Sequence, residues 1–229
     1  MSYIAERRGE EKERRRADIL DAAEALYAKK GWDALTVDQI ARSARLSRAL
    51  VYVYFRDKEE LLFAIGERAM RLLRDRFSEA AASHASGLEQ VVAIGQAYMV
   101  YAHEFPHYFD FCSRFHAHSV AIDPGSHEGA CQVFGDQAIG AVIQAIEAGV
   151  HDGSIRPDIG PPALLATSLW AFTHGIIQLA MAKGDDLERF GIAIPEFSTY
   201  AFGLLRLLAQ SGPDAVSSVA VGGAAVSAD

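Results

Sequence analysis

Cysteine is nearly absent: Cys112 and Cys131 are the only two in 229 residues. Two thiols cannot build a disulfide framework, and they fit a reducing compartment. A basic N-terminal region followed by an apolar run is also missing, so no secretory leader is expected and a cytoplasmic location is. The chain has no Gly-rich nucleotide loop, no G-x-S-x-G elbow and no Cys/His set at metal-ligand spacing. Catalytic residues, cofactors and a bound metal are therefore not expected, and the chain does not read as an enzyme. Period-two alternation, which would mark strands, does not occur, nor does an internal repeat. Charge is sparse as well. Asp, Glu, Lys and Arg make up 23% of the residues against 50% hydrophobic ones, which predicts a folded protein with ample core. The longest stretch without formal charge, Ile159 to Ala182, has the length of a membrane span. Thr167, Ser168, Thr173, His174 and Gln178 interrupt it and no second span accompanies it, so a core or subunit-interface helix is expected.

What remains is helical pattern from end to end, and the expected fold class is all-α. Ile19, Leu20, Ala23, Leu26 and Tyr27 form an amphipathic stripe stopped by Lys29, Lys30 and Gly31, with Trp32 folding back onto it. Glu10 with Arg14, and Glu11 with Arg15, are favourable i,i+4 pairs that extend this helix towards the N-terminus. Further helices are predicted at Lys58 to about His84, Leu88 to Phe105, His107 to roughly Ser119, Ala130 to Gly149, Ala163 to Lys183 and Pro195 to Gln210. On the last of these, Phe197, Tyr200, Ala201, Leu204, Leu205 and Leu208 share one side. A loop is expected over Ala121 to Gly129. From Ser211 small residues without periodicity predict a disordered tail.

Between Leu35 and Leu61 two short helical patterns flank a polar break. Thr36 caps the first, whose Val37, Ile40, Ala41 and Ala44 recur on one face. Arg45 and Leu46 interrupt. Ser47 caps the second, with Leu46, Val51 and Phe55 turned inward and Arg48, Ala49, Tyr52 and Tyr54 outward. Two short helices joined by a tight turn, the second with exposed Arg and Tyr, match a DNA-reading helix-turn-helix. Charge agrees: residues 1–58 hold 13 Lys and Arg against 10 Asp and Glu, while residues 59–229 hold 9 against 20. A basic head on an acidic body directs contact with DNA to the N-terminal end. Thr36 can hold a phosphate at a helix start, and Arg48 is placed to read guanine O6/N7 in the major groove. Leu50 meets a thymine methyl or belongs to the core. Arg14 to Arg16 touch phosphate or form a solvated face.

The series T-x-x-x-I-A-x-x-A-x-x-S followed by V-Y-V-Y-F-x-x-K-x-x-L resembles the tetracycline-repressor (TetR) family of bacterial transcription regulators, over about the first quarter of the chain. Three positions depart from the common pattern: Arg45 where the turn usually carries Gly, Ala49 where Gly or Pro is common, and Leu50 where Thr or Ser often meets DNA. The resemblance implies a three-helix head over residues 1–58 and a larger helical domain for ligand binding and dimerisation over 59–210. It adds Tyr52, Tyr54 and Lys58 to the DNA contacts, giving Thr36, Arg45, Ser47, Arg48, Ala49, Leu50, Tyr52, Tyr54 and Lys58. It implies a homodimer on a near-palindromic operator in double-stranded DNA, a small-molecule effector, and no membrane.

The resemblance also gives meaning to the aromatic density that ends at Phe115. At helical spacing such residues are most often plain core. In this family the region usually lines a cavity, which makes Tyr98, Tyr101, Phe105, Phe109 and Phe115 candidates for an apolar or aromatic ligand, completed by Phe134, Trp170 and His174. The run Trp170-x-x-x-His174-Gly175 resembles the W…HG pattern of one C-terminal subgroup, with ligand contact and dimer packing as equal alternatives. His103, His107, Cys112, His116 and His118 form a transition-metal cluster or, as the favoured reading, are scattered surface and core residues, and the two thiols sense oxidants or, by default, are buried and inert. Two other classes stay open: a helical small-molecule-binding protein or enzyme retaining the fold, and a ligand-independent DNA-binding protein.

Overall fold

The structure, a computed structural model, describes residues 3–115 and 123–210. Every regular element among them is an α-helix: α1 Tyr3–Lys30, α2 Val37–Ser43, α3 Arg48–Tyr54, α4 Lys58–Ala82, α5 Gly87–Glu104, α6 Pro106–Arg114, α7 His127–Asp152, α8 Pro162–Ala182, α9 Gly184–Arg189 and α10 Ile194–Gln210. The tail beyond residue 210, the end of the helix expected to reach Ser119, and His116 and His118 lie outside the described residues.

Contacts divide the chain into two compact units, one of Met1–Ser78 with Tyr98–Ala138, the other of Glu79–Ala97 with Ile139–Asp229. The boundary expected after residue 58 lies inside the first unit, and α4, α5 and α7 each contribute to both.

In the first unit the stripe on α1 is buried as the spacing predicts, with Ile19 and Ala23 fully covered. Gly31, at φ 74°, ends the helix and donates its N–H to Tyr27 O at 2.9 Å. Trp32 folds back to meet Tyr27 edge-on at 5.5 Å. Ile40, Val51, Phe55, Leu61 and Ile65 are likewise essentially inaccessible, and α2 packs against both α1 and α3. Pro106 both stops α5 and opens α6, since the first position of a helix needs no N–H. α6 turns Tyr108, Phe109 and Phe111 inward. Gly66 on α4 is what lets Phe111 approach, because a Cβ there would lie 2.0 Å from the ring's Cζ.

In the second unit Leu88, Val92 and Ile94 of α5 join Ile146, Ile155, Ile176, Ile177 and Phe202 in the core. The start of α5 is tied down from the far side of α7: Gly87 N–H donates to Asp152 Oδ2 at 2.8 Å, and Leu88 N–H to Ser154 Oγ at 3.1 Å. α9, a single turn and a half, was not legible in the sequence pattern. On α10 the buried face is Ser198, Ala201 and Phe202, whereas Tyr200 and Leu204 are exposed, one position round the helix from the expected side.

Candidate nucleic-acid interface

The break between α2 and α3 is built from backbone bonds before any side chain acts. Leu46 N–H reaches back to Ala41 O at 2.9 Å and Arg45 N–H to Arg42 O at 3.1 Å, the paired closure of a Schellman helix end. That closure requires a left-handed residue after the cap, and Arg45 supplies it at φ 57°, the only non-glycine among the described residues with positive φ. The position where the resemblance has Gly is thus one where Gly would be unstrained.

Both helices then start on side-chain caps. Thr36 Oγ accepts from Gln39 N–H at 3.3 Å while Gln39 Oε1 accepts from Thr36 N–H at 3.0 Å, a complete capping box. Ser47 Oγ accepts from Leu50 N–H at 3.2 Å. Each hydroxyl keeps its own proton to donate, and both residues are exposed at a helix N-terminus, where a phosphate oxygen is favoured.

Val51 and Phe55 hold α3 against the core, each about 1% exposed. Arg48, Ala49, Tyr52 and Val53 make up the outer face. Arg48 donates from Nη1 to Asp38 Oδ2 at 3.2 Å and from Nη2 to Tyr52 Oη at 3.4 Å, with its guanidinium 5.6 Å from the Tyr52 ring centre. The Tyr52 hydroxyl and then the Asp38 charge push the guanidinium pKa further up. Leu50 and Tyr54 are half-buried at the edge of this face. Lys58 is engaged inside the head: its Nζ donates to Trp32 O at 2.9 Å and lies 4.9 Å from the Trp32 ring, which leaves two ammonium protons uncommitted. Val53, 71% exposed, was missed by the sequence reading, although its helical spacing from Ala49 could have found it.

The bacterial regulatory protein domain of the tetR family matches residues 19–65. Residues 19–65 thus carry the N-terminal domain of the tetR family of bacterial regulatory proteins. Among curated relatives, the HTH-type transcriptional regulator HbdR of Aromatoleum sp. (strain CIB) is 45% identical over 51 residues, 22% of either chain. The chain thus spans about a fifth of that relative's length. A solved protein of unknown function from Rhodococcus sp. RHA1 is 25% identical with a TM-score of 0.71, over 86% of this chain and 96% of that one. AibR, solved in complex with isovaleryl coenzyme A and operator DNA, is 19% identical with a TM-score of 0.61, over 83% and 97%. That likeness is one of fold.

The tetR-family head is bonded to α6 by polar groups that sequence periodicity does not reveal. Tyr108 Oη donates to Glu24 Oε1 at 2.6 Å, and Tyr27 Oη to Asp110 Oδ2 at 2.8 Å. Arg114 joins Asp33 at 2.7 Å and Asp110 at 2.9 Å, and Arg68 joins Asp21 at 2.6 Å and Glu24 at 3.0 Å. Burial on its own raises the Glu24 pKa. His107, Tyr108 and Arg68 together outweigh it and bring the carboxyl down to about 2. Of the arginine run, Arg14 and Arg15 both pair with Glu11. Arg16 is half-buried, bonded to His127 and stacked 4.9 Å over Phe55.

Of the residues suggested for an effector, Tyr98, Tyr101, Phe105 and Phe109 form one cluster of rings with neighbouring centroids 5.7–6.4 Å apart. Tyr98, Tyr101 and Phe109 are core, at most 3% exposed, with Tyr101 Oη donating to Ala69 O at 3.0 Å. Phe105 stacks on Tyr108 at 5.5 Å, and Phe134 lies under the guanidinium groups of Arg71 and Arg74. Phe115 borders an open hollow of about 150 Å³ with Tyr27, Trp32, Leu62, Phe63 and Phe111. Trp170 and His174, 6.3 Å apart, belong to the second unit, where Trp170 is half-exposed and burial lowers the His174 pKa. Burial pushes the Cys112 thiol up to about 12 and the Cys131 thiol higher, so neither is a thiolate near neutral pH. No group of three metal-ligating side chains occurs among the described residues.

Proposed function

We propose that the protein is a homodimeric, sequence-specific repressor of transcription that binds a near-palindromic operator and leaves it when a small effector binds. Residues 1–58 act as the reading head and residues 59–210 as the effector and dimerisation region. The observation that carries this reading is the outer face of α3, where Arg48, Ala49, Tyr52 and Val53 stand exposed on a capped helix of the tetR-family domain. Such a helix suits the major groove, with Thr36, Ser47 and Arg45 beside it for phosphates and Lys58 contributing its two remaining protons.

One head touches few bases, which makes a two-fold dimer on two half-sites the natural arrangement. The surface of α8 supports it: Leu164, Trp170, Phe172, Leu179 and Met181 are all 40% or more exposed. α8 is long and apolar enough to cross a membrane by length and composition. A second copy of the chain covers the same surface without one. A Cβ at Gly175 would meet nothing within 4 Å in the chain itself, leaving room there for a close approach by the partner.

For the effector, AibR's complex with an acyl thioester and operator DNA makes acyl-CoA thioesters the first compounds to try, with aromatic acids second. An effector acts only by binding the DNA-competent and incompetent states with different affinity. Selection from a random DNA library with purified protein should return an inverted repeat. A library that returns no motif, or one without two-fold symmetry, refutes the operator reading. Operator affinity unchanged by every compound in both panels refutes the effector reading.

A further inference from the structure

The DNA-facing surface of the head carries a carboxylate, which needs explaining on a surface that must approach phosphates. Asp38 lies in the first turn of α2, and its side chain is 52% exposed. It contributes nothing to the caps: Thr36 and Gln39 close the start of α2 between them. Its ion-pair partner among the described residues is Arg48, ten positions on and in the other helix of the pair. Arg48 is also met by Tyr52, one turn further along α3, through both the hydroxyl and the ring face.

We propose that Asp38 is a positioning residue for base recognition, fixing the orientation of the Arg48 guanidinium before it meets the groove. The proposal rests on the reading of α3 as the recognition helix. A free arginine has many rotamers and a broad fan of donors. Here one hydrogen on Nη1 and one on Nη2 are already committed, to Asp38 and Tyr52 respectively. Three of the five N–H groups remain, sufficient for a two-pronged contact with guanine O6 and N7. An exposed ion pair contributes little to folding stability. Its consequence is geometric: the Asp38 anchor holds the plane of Arg48 fixed relative to α2, so that a wrong base meets a misaligned fork. The carboxylate also opposes nonspecific attraction to phosphate, so it raises discrimination from both sides.

The test is library selection with wild type, Asp38→Asn, Arg48→Ala and the double variant. Asn keeps the shape of Asp38, and thermal melting checks that the head stays folded. The expected result is that Asp38→Asn flattens the preference at one base pair of each half-site by about fivefold or more, the lower range of what a two-pronged contact supplies. Other positions keep their preference, and binding to random-sequence DNA strengthens. Arg48→Ala flattens the same base pair, and adding Asp38→Asn to it changes nothing there. A role confined to the stability of α2 would instead weaken all sequences evenly and persist in the Arg48→Ala background, and that pattern overturns the proposal. A clear wild-type motif reproduced unchanged by Asp38→Asn overturns it while leaving the operator reading intact. A wild-type selection with no motif overturns both.

Discussion

Replacing Arg45 by glycine should make the head more stable and its grip on DNA weaker, two effects that a conventional surface arginine would not combine. The stability gain comes from the backbone. Arg45 holds φ 57° because the paired bonds from Arg45 N–H and Leu46 N–H close α2 only in that conformation. A side chain in the left-handed region costs roughly 1–2 kcal/mol, and glycine removes that cost. Glycine also loosens the unfolded chain, which takes back about 0.4–1 kcal/mol. The net gain is about 0.5–1 kcal/mol, a rise in melting temperature of roughly 1–4 °C for a chain of this size. Binding loses one positive charge beside the recognition helix. If Arg45 meets a phosphate, the slope of log affinity against log salt becomes shallower by about 0.9. Thermal melting and operator titrations across a salt series measure the two quantities on the same sample. A melting temperature that stays or falls would show that the turn is not strained at Arg45. An unchanged salt slope would remove this residue from the phosphate contacts.

Three further outcomes can be checked independently. Glu24 has a carboxyl pKa held near 2 in the folded chain against about 4.5 when free. Its stabilising bonds are therefore complete above about 4.5 and lost as pH falls towards 2. The variant Glu24→Gln should lose less stability than wild type over that window in acid unfolding followed by circular dichroism. Gly66→Ala places a methyl 2.0 Å from the Phe111 ring, and should cost about 1–3 kcal/mol in denaturant unfolding, with much of the loss recovered by adding Phe111→Leu. Trp170→Glu puts a charge into the exposed apolar face of α8 and should shift sedimentation towards the monomer with a parallel loss of operator affinity.

The local features of the head were legible because they obey short-range rules. Thr36 and Ser47 cap where a small oxygen-bearing side chain precedes an apolar period. The stripe of Ile19, Ala23 and Tyr27 is a matter of spacing. Even the unusual residue in the turn was visible, as an arginine at a position that favours glycine. What spacing could not supply is partnership between distant residues. Nothing in the sequence links Tyr108 to Glu24 or Tyr27 to Asp110, more than eighty positions apart. Arg16 read as a phosphate contact or a solvated charge, and Lys58 as a phosphate contact by resemblance, yet His127, Phe55 and Trp32 also engage them. The aromatic series from Tyr98 to Phe115 shows the same limit, since helical spacing is identical for rings that fill a core and rings that border a hollow. Val53 was missed for a simpler reason: α3 has too few turns for spacing alone to fix the phase of every residue.

The closure of α2 and α3 has a kinetic meaning. Each has seven residues, far below the length at which a helix persists unaided in water. The capping box at Thr36, the hydroxyl of Ser47 and the backbone pair at Arg45 satisfy end groups that would otherwise fray, while α2 packs on α1 and Val51 and Phe55 are buried. The recognition surface thus folds without its target. Association then carries little entropic charge for ordering the backbone, and encounter can proceed at the rate electrostatic attraction allows. Selectivity in such a head resides chiefly in how long each complex lasts, not in how often it forms.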